Sequence, residues 1–195
     1  MMRKWLSLVL VLVLAGAFVT AWWLRPQHPS LPPGGDFTLQ SAQGPISLHD
    51  FAGQVVLLYF GYTSCPDVCP TNLAQLASAI RDLRPEERRR VRVLFVSVDP
   101  QRDTPKKLAG YAHFFGPDFL GITGTPAAVA KVAQAYGVSY RKVDYPGALG
   151  YLMDHSTLTY VIGPGGRLRQ TLPHAAPTSD ILAAVRHWLT AEGSS

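Results

Sequence analysis

Two runs of this chain, Gln54 to Phe60 (QVVLLYF) and Val91 to Val98 (VRVLFVSV), are almost wholly apolar and rich in β-branched and aromatic residues. Such runs read as strands buried on both faces. Between them Leu73, Leu76, Ala77, Ile80 and Leu83 recur at helical spacing, which predicts a helix from about Pro70 to Arg84. Two buried strands joined by one helix make a right-handed βαβ unit with a parallel sheet, and this unit sets the α/β class.

The remaining elements extend that unit. Asp36 to Gln40 and Ile46 to Leu48, separated by Gln43-Gly44, predict a short opening hairpin. Thr104-Pro105 and Thr125-Pro126 each place a capping residue before a proline suited to the first helical position. They start two helices that end near Gly116 and Gly137, with a short strand from Phe119 to Ile122 between them. Thr157 to Ile162 and Arg167 to Leu172 flank Gly163-Pro164-Gly165-Gly166 and so form an antiparallel hairpin. Thr178 then caps a final helix with Ile181, Leu182, Val185 and Leu189 on one face. This order is the thioredoxin-like arrangement, a mixed central sheet flanked by helices, with an N-terminal addition and an insertion before the hairpin. With 195 residues, 47% of them apolar, the chain suffices for one such domain, expected over 36–192, and a tail.

The tail has its own signature. Trp5 to Leu24 is an unbroken stretch of 20 uncharged, mostly apolar residues. At about 1.5 Å per residue a helix of that length spans the roughly 30 Å hydrocarbon layer. Trp5, Trp22 and Trp23 sit where interfacial aromatic belts belong, and Arg3 and Lys4 outweigh Arg25, so the N-terminus is expected in the cytoplasm. Ala15-Gly16-Ala17 resembles a signal cleavage site, but a cleavable apolar region is usually about 7–15 residues long and this one runs on past the site. Residues 1–24 are therefore expected to be a cytoplasmic stub and membrane anchor, and the Pro/Gly-rich residues 25–35 a semi-rigid linker. The lack of an Arg/Ser-rich presequence favours a bacterial inner membrane, with the folded domain in the periplasm. Net charge is +5, yet removing Arg3, Lys4 and Arg25 from the 18 basic residues leaves 15 against 13 acidic ones. The body thus lacks the positive field that nucleic-acid binding needs. Arg88, Arg89 and Arg90, after Glu86 and Glu87, read as a solvated helix end.

The chemistry centres on Thr63-Ser64-Cys65-Pro66-Asp67-Val68-Cys69-Pro70, which holds the two cysteines of the chain. They fall between the first buried strand and the first turn of the following helix, where unpaired backbone N–H groups and the helix dipole favour a thiolate. Four residues apart in a helical turn, both sulfurs are expected on one face, able to form a disulfide or share a metal ion. A purely structural disulfide fits poorly, because so short a loop removes little unfolded-chain entropy. Dithiol exchange remains open, and the absence of a Thr-x-x-Cys arrangement argues against a peroxidase. Of six histidines, His28, His49, His113, His174 and His187 read as surface or packing residues. His155, in Asp154-His155-Ser156-Thr157, stands just before a strand, where thioredoxin-type folds usually face a cis-proline toward the sulfurs. An imidazole there reaches the cysteine pair.

Cys65-Pro66-Asp67-Val68-Cys69-Pro70, Val98-Asp99-Pro100 with Arg102-Asp103-Thr104, and Asp154-His155-Ser156 together resemble the Sco/SenC family over roughly residues 36–190. These are membrane-anchored, thioredoxin-fold copper proteins that assist assembly of cytochrome c oxidase. The resemblance implies that Cys65, Cys69 and His155 are copper ligands for Cu(I) and/or Cu(II). It also implies that the protein delivers copper to the oxidase's binuclear centre or keeps that centre's cysteines reduced. The implied partners are the copper-binding subunit of the oxidase, an upstream copper donor and a thiol reductase. Donor chemistry agrees, since thiolates favour Cu(I) while imidazole also suits Cu(II). Asp154 is expected to orient His155, and Asp99 or Asp67 to shape the field of the site or contact a partner. Cys65 and Cys69 as a redox-active dithiol, acting in thiol-disulfide exchange, form the alternative.

Overall fold

The computed structural model describes residues 31–191 except Ala148, together with Ala15, Gly16 and Thr20. The expected membrane anchor and linker residues 25–30 otherwise lie outside the described residues. Among the described residues no helix is long and apolar enough to cross a membrane.

A five-stranded sheet organises the domain. At its centre β3 (Val55–Gly61) runs parallel to β4 (Val91–Ser97), in register from Val55 opposite Val91 to Gly61 opposite Ser97. β5 (Phe119–Ile122) extends the sheet beside β4, again parallel. On the other side β8 (Thr159–Ile162) pairs antiparallel with β3, and β9 (Leu168–Leu172) with β8. The order β5-β4-β3-β8-β9 is thus mixed, as expected. A separate opening hairpin joins β1 (Thr38–Ser41) to β2 (Gly44–Ser47).

Strand alternation divides the core in two. Val55, Leu57 and Tyr59 with Val93 and Phe95 face helices α1 (Val68–Arg81), α3 (Pro105–Phe115) and α5 (Thr178–Ala191). Val56, Leu58 and Phe60 with Leu94 and Val96 face the opening hairpin and α4 (Pro126–Ala135). Burial on both faces explains why the central runs show no polar alternation. The two Thr-Pro helix starts form as expected: Thr104 Oγ1 accepts from the Lys107 N–H at 3.3 Å, and Thr125 Oγ1 from that of Ala128 at 3.2 Å.

Two segments read as linker or solvated surface make packing contacts with the domain. The last residues of the Pro/Gly stretch lie on the domain, where the Gly34 N–H donates to Ala135 O at 2.9 Å and the Tyr136 hydroxyl to Gly35 O at 2.9 Å. A buried tyrosine needs an acceptor for its hydroxyl, and this segment supplies it. The basic triplet is likewise not wholly solvated. Arg88, ending the short helix α2 (Pro85–Arg88), donates from Nε to Asp118 Oδ2 at 2.7 Å, while Arg89 and Arg90 are exposed.

Glu87 in α2 accepts from Arg84 at 3.0 Å and from Arg186 of α5 at 3.2 Å. The Arg84 hydrogen bond, with help from Arg186, pulls its carboxyl from 4.5 to about 2. Because the folded value is depressed, the stabilisation is present above about pH 4.5 and lost as pH falls through about 2. We therefore expect a Glu87→Gln variant to unfold at lower denaturant than the parent at pH 7, by about 1 kcal/mol. That gap should close in midpoints measured near pH 2.

Candidate metal centre

β3 delivers the chain to Gly61, and the loop that follows carries Cys65 before α1 begins at Val68. Asp103 anchors this loop. Its carboxylate accepts from the Thr63 N–H at 2.9 Å, from the Thr63 hydroxyl, from Ser97 Oγ at 2.7 Å and from Lys107 Nζ at 3.0 Å. Burial pushes the Asp103 pKa upward, but these donors outweigh it and hold the carboxyl below its ordinary range. Sequence reasoning did not select Asp103 as a site residue, although it stands in the Arg102-Asp103-Thr104 signature.

The two cysteines are not equivalent, and only Cys69 lies in the helix. Cys65, half-buried, accepts the Cys69 backbone N–H on Sγ at 3.3 Å and so caps the first turn of α1. Cys69 is fully buried. The Cys69 thiol, then His155, then the backbone N–H groups of Cys69 and Asp67 hold the Cys65 pKa far below the usual thiol range. Cys69 moves the opposite way, through its hydrogen bond to Cys65, burial, and the negative charge beside it. These opposed shifts make Cys65 the more acidic sulfur of the pair. In the reduced protein, iodoacetamide should label Cys65 before Cys69, at a rate nearly flat from pH 6 to 8. A free thiol with a pKa of about 8.5 would speed up by roughly 70-fold over that interval. Peptide mass spectrometry reads the outcome.

His155 arrives on an element the sequence did not reveal. β6 (Tyr140–Asp144) and β7 (Tyr151–His155) form a two-stranded ribbon outside the central sheet, and His155 is the last residue of β7. Its Nδ1 donates to Ser156 O at 2.9 Å, which turns Nε2 toward the cysteines, 3.4 Å from Cys69 Sγ. The ring stands edge-on to Tyr59 and Tyr62, with centroid distances of 6.3 and 5.9 Å. The two sulfurs and one ring nitrogen all lie within 4.8 Å of one another, and among the described residues no fourth His, Cys, Asp or Glu joins them. Bonds of about 2.0–2.3 Å from nitrogen and sulfur to one ion place such ligand atoms up to about 4.6 Å apart, so the trio suits a shared metal after small adjustments. A groove of about 430 Å³ opens in front of it, lined by Tyr62, Pro66, Val68, Leu152 and Met153 among others.

The expected carboxylate partners behave differently. Asp154 does not orient His155: its Oδ2 accepts from Arg141 Nε at 3.0 Å across the ribbon. Adjacent strand residues point to opposite faces, so the Asp154 carboxylate turns away from the imidazole. Asp99 is buried and accepts from the Tyr151 hydroxyl at 2.9 Å and from Arg102 Nε, touching none of the three ligands. Asp67 accepts from Thr71 Oγ1 at 3.1 Å. Of the other histidines, His49 bonds Asp36 at 2.7 Å and His187 packs on Trp188, while His28 lies outside the described residues.

The fold and the trio define a thioredoxin-like protein with a Cys-Cys-His cluster able to hold a metal ion at the start of its first core helix. The sequence profile of the SCO1/SenC family matches residues 26–190, and the chain belongs to that family. It is 38% identical over 159 residues to the mitochondrial SCO2 homolog of Bos taurus, a match covering 80% of this chain and 60% of the bovine protein. Among solved structures, apo Sco1 of Thermus thermophilus is 43% identical with a TM-score of 0.73, covering 83% of this chain and 94% of that one. Copper-bound ScoI of Bradyrhizobium japonicum is 34% identical with a TM-score of 0.72, covering 80% and 99%.

Proposed function

We propose that this protein binds one copper ion through Cys65, Cys69 and His155 and assists maturation of the binuclear copper centre of cytochrome c oxidase. The observation that carries the reading is the convergence of two sulfurs and an imidazole nitrogen within 4.8 Å. Two thiolates suit Cu(I), and the added imidazole accommodates Cu(II). A structural zinc site would normally be closed by a fourth protein ligand. Loading would require deprotonated sulfurs and so release thiol protons, and copper affinity therefore rises with pH. The copper-bound relative and the family membership support copper as the cargo. The proposed partners are the copper-binding subunit of the oxidase and an upstream donor. The apolar run Trp5 to Leu24 supports a single-pass anchor in a bacterial inner membrane, with residues 36–192 in the periplasm.

The inequality of the sulfurs favours a second use of the same site. A half-exposed Cys65 thiolate could attack an oxidase disulfide. Cys69 would then resolve the mixed disulfide, leaving two target thiols and an internal disulfide for a thiol reductase to re-reduce. Titrating the reduced protein with copper under anaerobic conditions, then mixing it with a copper-free soluble fragment of the oxidase subunit, tests the first reading. One copper per chain, moving to the fragment, is expected. A protein that binds no copper but reduces the fragment's disulfide overturns it in favour of the second.

A further inference from the structure

The ribbon that carries His155 has little of its own to hold it in place. β6 is exposed along most of its length, and the ribbon pairs with no strand of the central sheet. Met153 packs against both halves of the core and its backbone bonds the Tyr62 hydroxyl. The ribbon's side chains add the Tyr151 hydroxyl bond to Asp99 and the contact of His155 Nε2 with Cys69 Sγ, and its backbone is gripped by Arg102, in the loop after β4. Its Nη1 donates to Tyr151 O at 2.9 Å and to Leu149 O at 3.1 Å, and its Nε donates to the buried Asp99 carboxylate. The guanidinium lies 3.6 Å from the centroid of the Tyr151 ring, whose other contacts are Lys142 Nζ at 3.8 Å and, through the hydroxyl, Asp99 Oδ1 at 2.9 Å.

The same loop also governs the cysteines. Asp103, next in sequence to Arg102, grips Thr63 two residues before Cys65. Ser97 and Asp103 pin the loop from inside, with the Ser97 hydroxyl donating to Asp103 and accepting from the Asp99 N–H at 3.1 Å. Residues 97–103 therefore form one frame to which both ligand-bearing segments are tied, the cysteine loop through Asp103 and the histidine ribbon through Asp99 and Arg102.

We propose that Asp99, Arg102 and Tyr151 form a latch that seats the β6–β7 ribbon and thereby sets the position of His155 relative to the two sulfurs. This rests on the copper reading of the site. The geometry demands arginine. One planar fork reaches a carboxylate and two backbone carbonyls while stacking on an aromatic face, which the point charge of lysine does not reproduce. The three are positioning residues, acting on the metal only through His155.

The test compares the parent with Arg102→Gln, Arg102→Lys and the milder Tyr151→Phe, which keeps the ring and removes one hydrogen bond. Two measurements on the reduced, copper-free protein come first: amide hydrogen exchange along residues 140–155, and the NMR shift of the His155 ring protons, displaced in the parent by the flanking tyrosine rings. Both Arg102 variants should accelerate exchange in the ribbon while β3 and β4 stay protected, and should move the His155 shift toward its free value. Tyr151→Phe should do so to a smaller extent. Cu(II) affinity should fall by about 10–100-fold in Arg102→Gln, the range for losing a residue that orients a ligand. In a His155→Ala background the same change should cost nothing further. Unchanged exchange and an unchanged His155 shift would overturn the latch, as would an equal loss of affinity in both backgrounds. A parent that binds no copper would overturn the copper reading instead, and the two copper-free measurements would still decide the latch.

Discussion

Replacing His155 with alanine should abolish tight Cu(II) binding while leaving a reducible Cys65–Cys69 pair. The imidazole supplies the nitrogen donor of the trio, with Nδ1 committed to Ser156 O and Nε2 turned toward the sulfurs. In the proposed site its loss removes a ligand outright, so affinity should fall by more than the roughly 10–100-fold that follows from disturbing a residue behind a ligand. Cu(I), content with two thiolates, should lose less. The dithiol should still exchange with a small disulfide, because both sulfurs are carried by the segment between β3 and α1, where Cys65 Sγ accepts from the Cys69 N–H without His155. Sulfur-to-copper charge-transfer absorption and a thiol-exchange assay, run on the same preparation, separate the two properties. A variant that keeps the parent's Cu(II) affinity would remove His155 from the site.

The second large effect is expected at Gly61. A methyl group there would fall 2.7 Å from Cys69 Sγ and 2.8 Å from Phe95 Cε2, and both neighbours are fully buried. Neither has open space to retreat into, so Gly61→Ala should destabilise the fold by about 1–3 kcal/mol, as overpacking of a close-packed core does. It should also weaken copper binding, since the sulfur must move. Part of the folding cost belongs to the contact with Cys69, and a Cys69→Ala/Gly61→Ala double variant should recover that part. Denaturant midpoints of the four proteins in this cycle measure the coupling. Equal costs of Gly61→Ala with and without the Cys69 sulfur would show that the glycine is not required by the cysteine.

The central βαβ unit was legible because Val55–Gly61 and Val91–Ser97 are buried on both faces and carry an unmistakable composition. Helix starts at Thr104-Pro105 and Thr125-Pro126 were legible because capping is a local matter. The β6–β7 ribbon was not. Its strands, Tyr-Arg-Lys-Val-Asp and Tyr-Leu-Met-Asp-His, show no clean alternation, and they are held by Arg102 and Asp99, some 50 residues away in sequence. The sequence therefore points to His155 beside the cysteines only through the fold position of the following strand, and not through the strand that carries it. Adjacency in sequence suggests Asp154 as the partner of His155, whereas its carboxylate bonds Arg141 across the ribbon. Gly61 gave no signal, because a glycine ending a strand declares nothing about the sulfur packed against it.

Copper K-edge absorption spectroscopy of the copper-loaded protein, compared with the His155→Ala variant, tests the shared site most directly. The account predicts two sulfur scatterers and one imidazole nitrogen around the ion in the parent, with the imidazole multiple-scattering pattern lost in the variant. Two sulfurs alone in both proteins would contradict it.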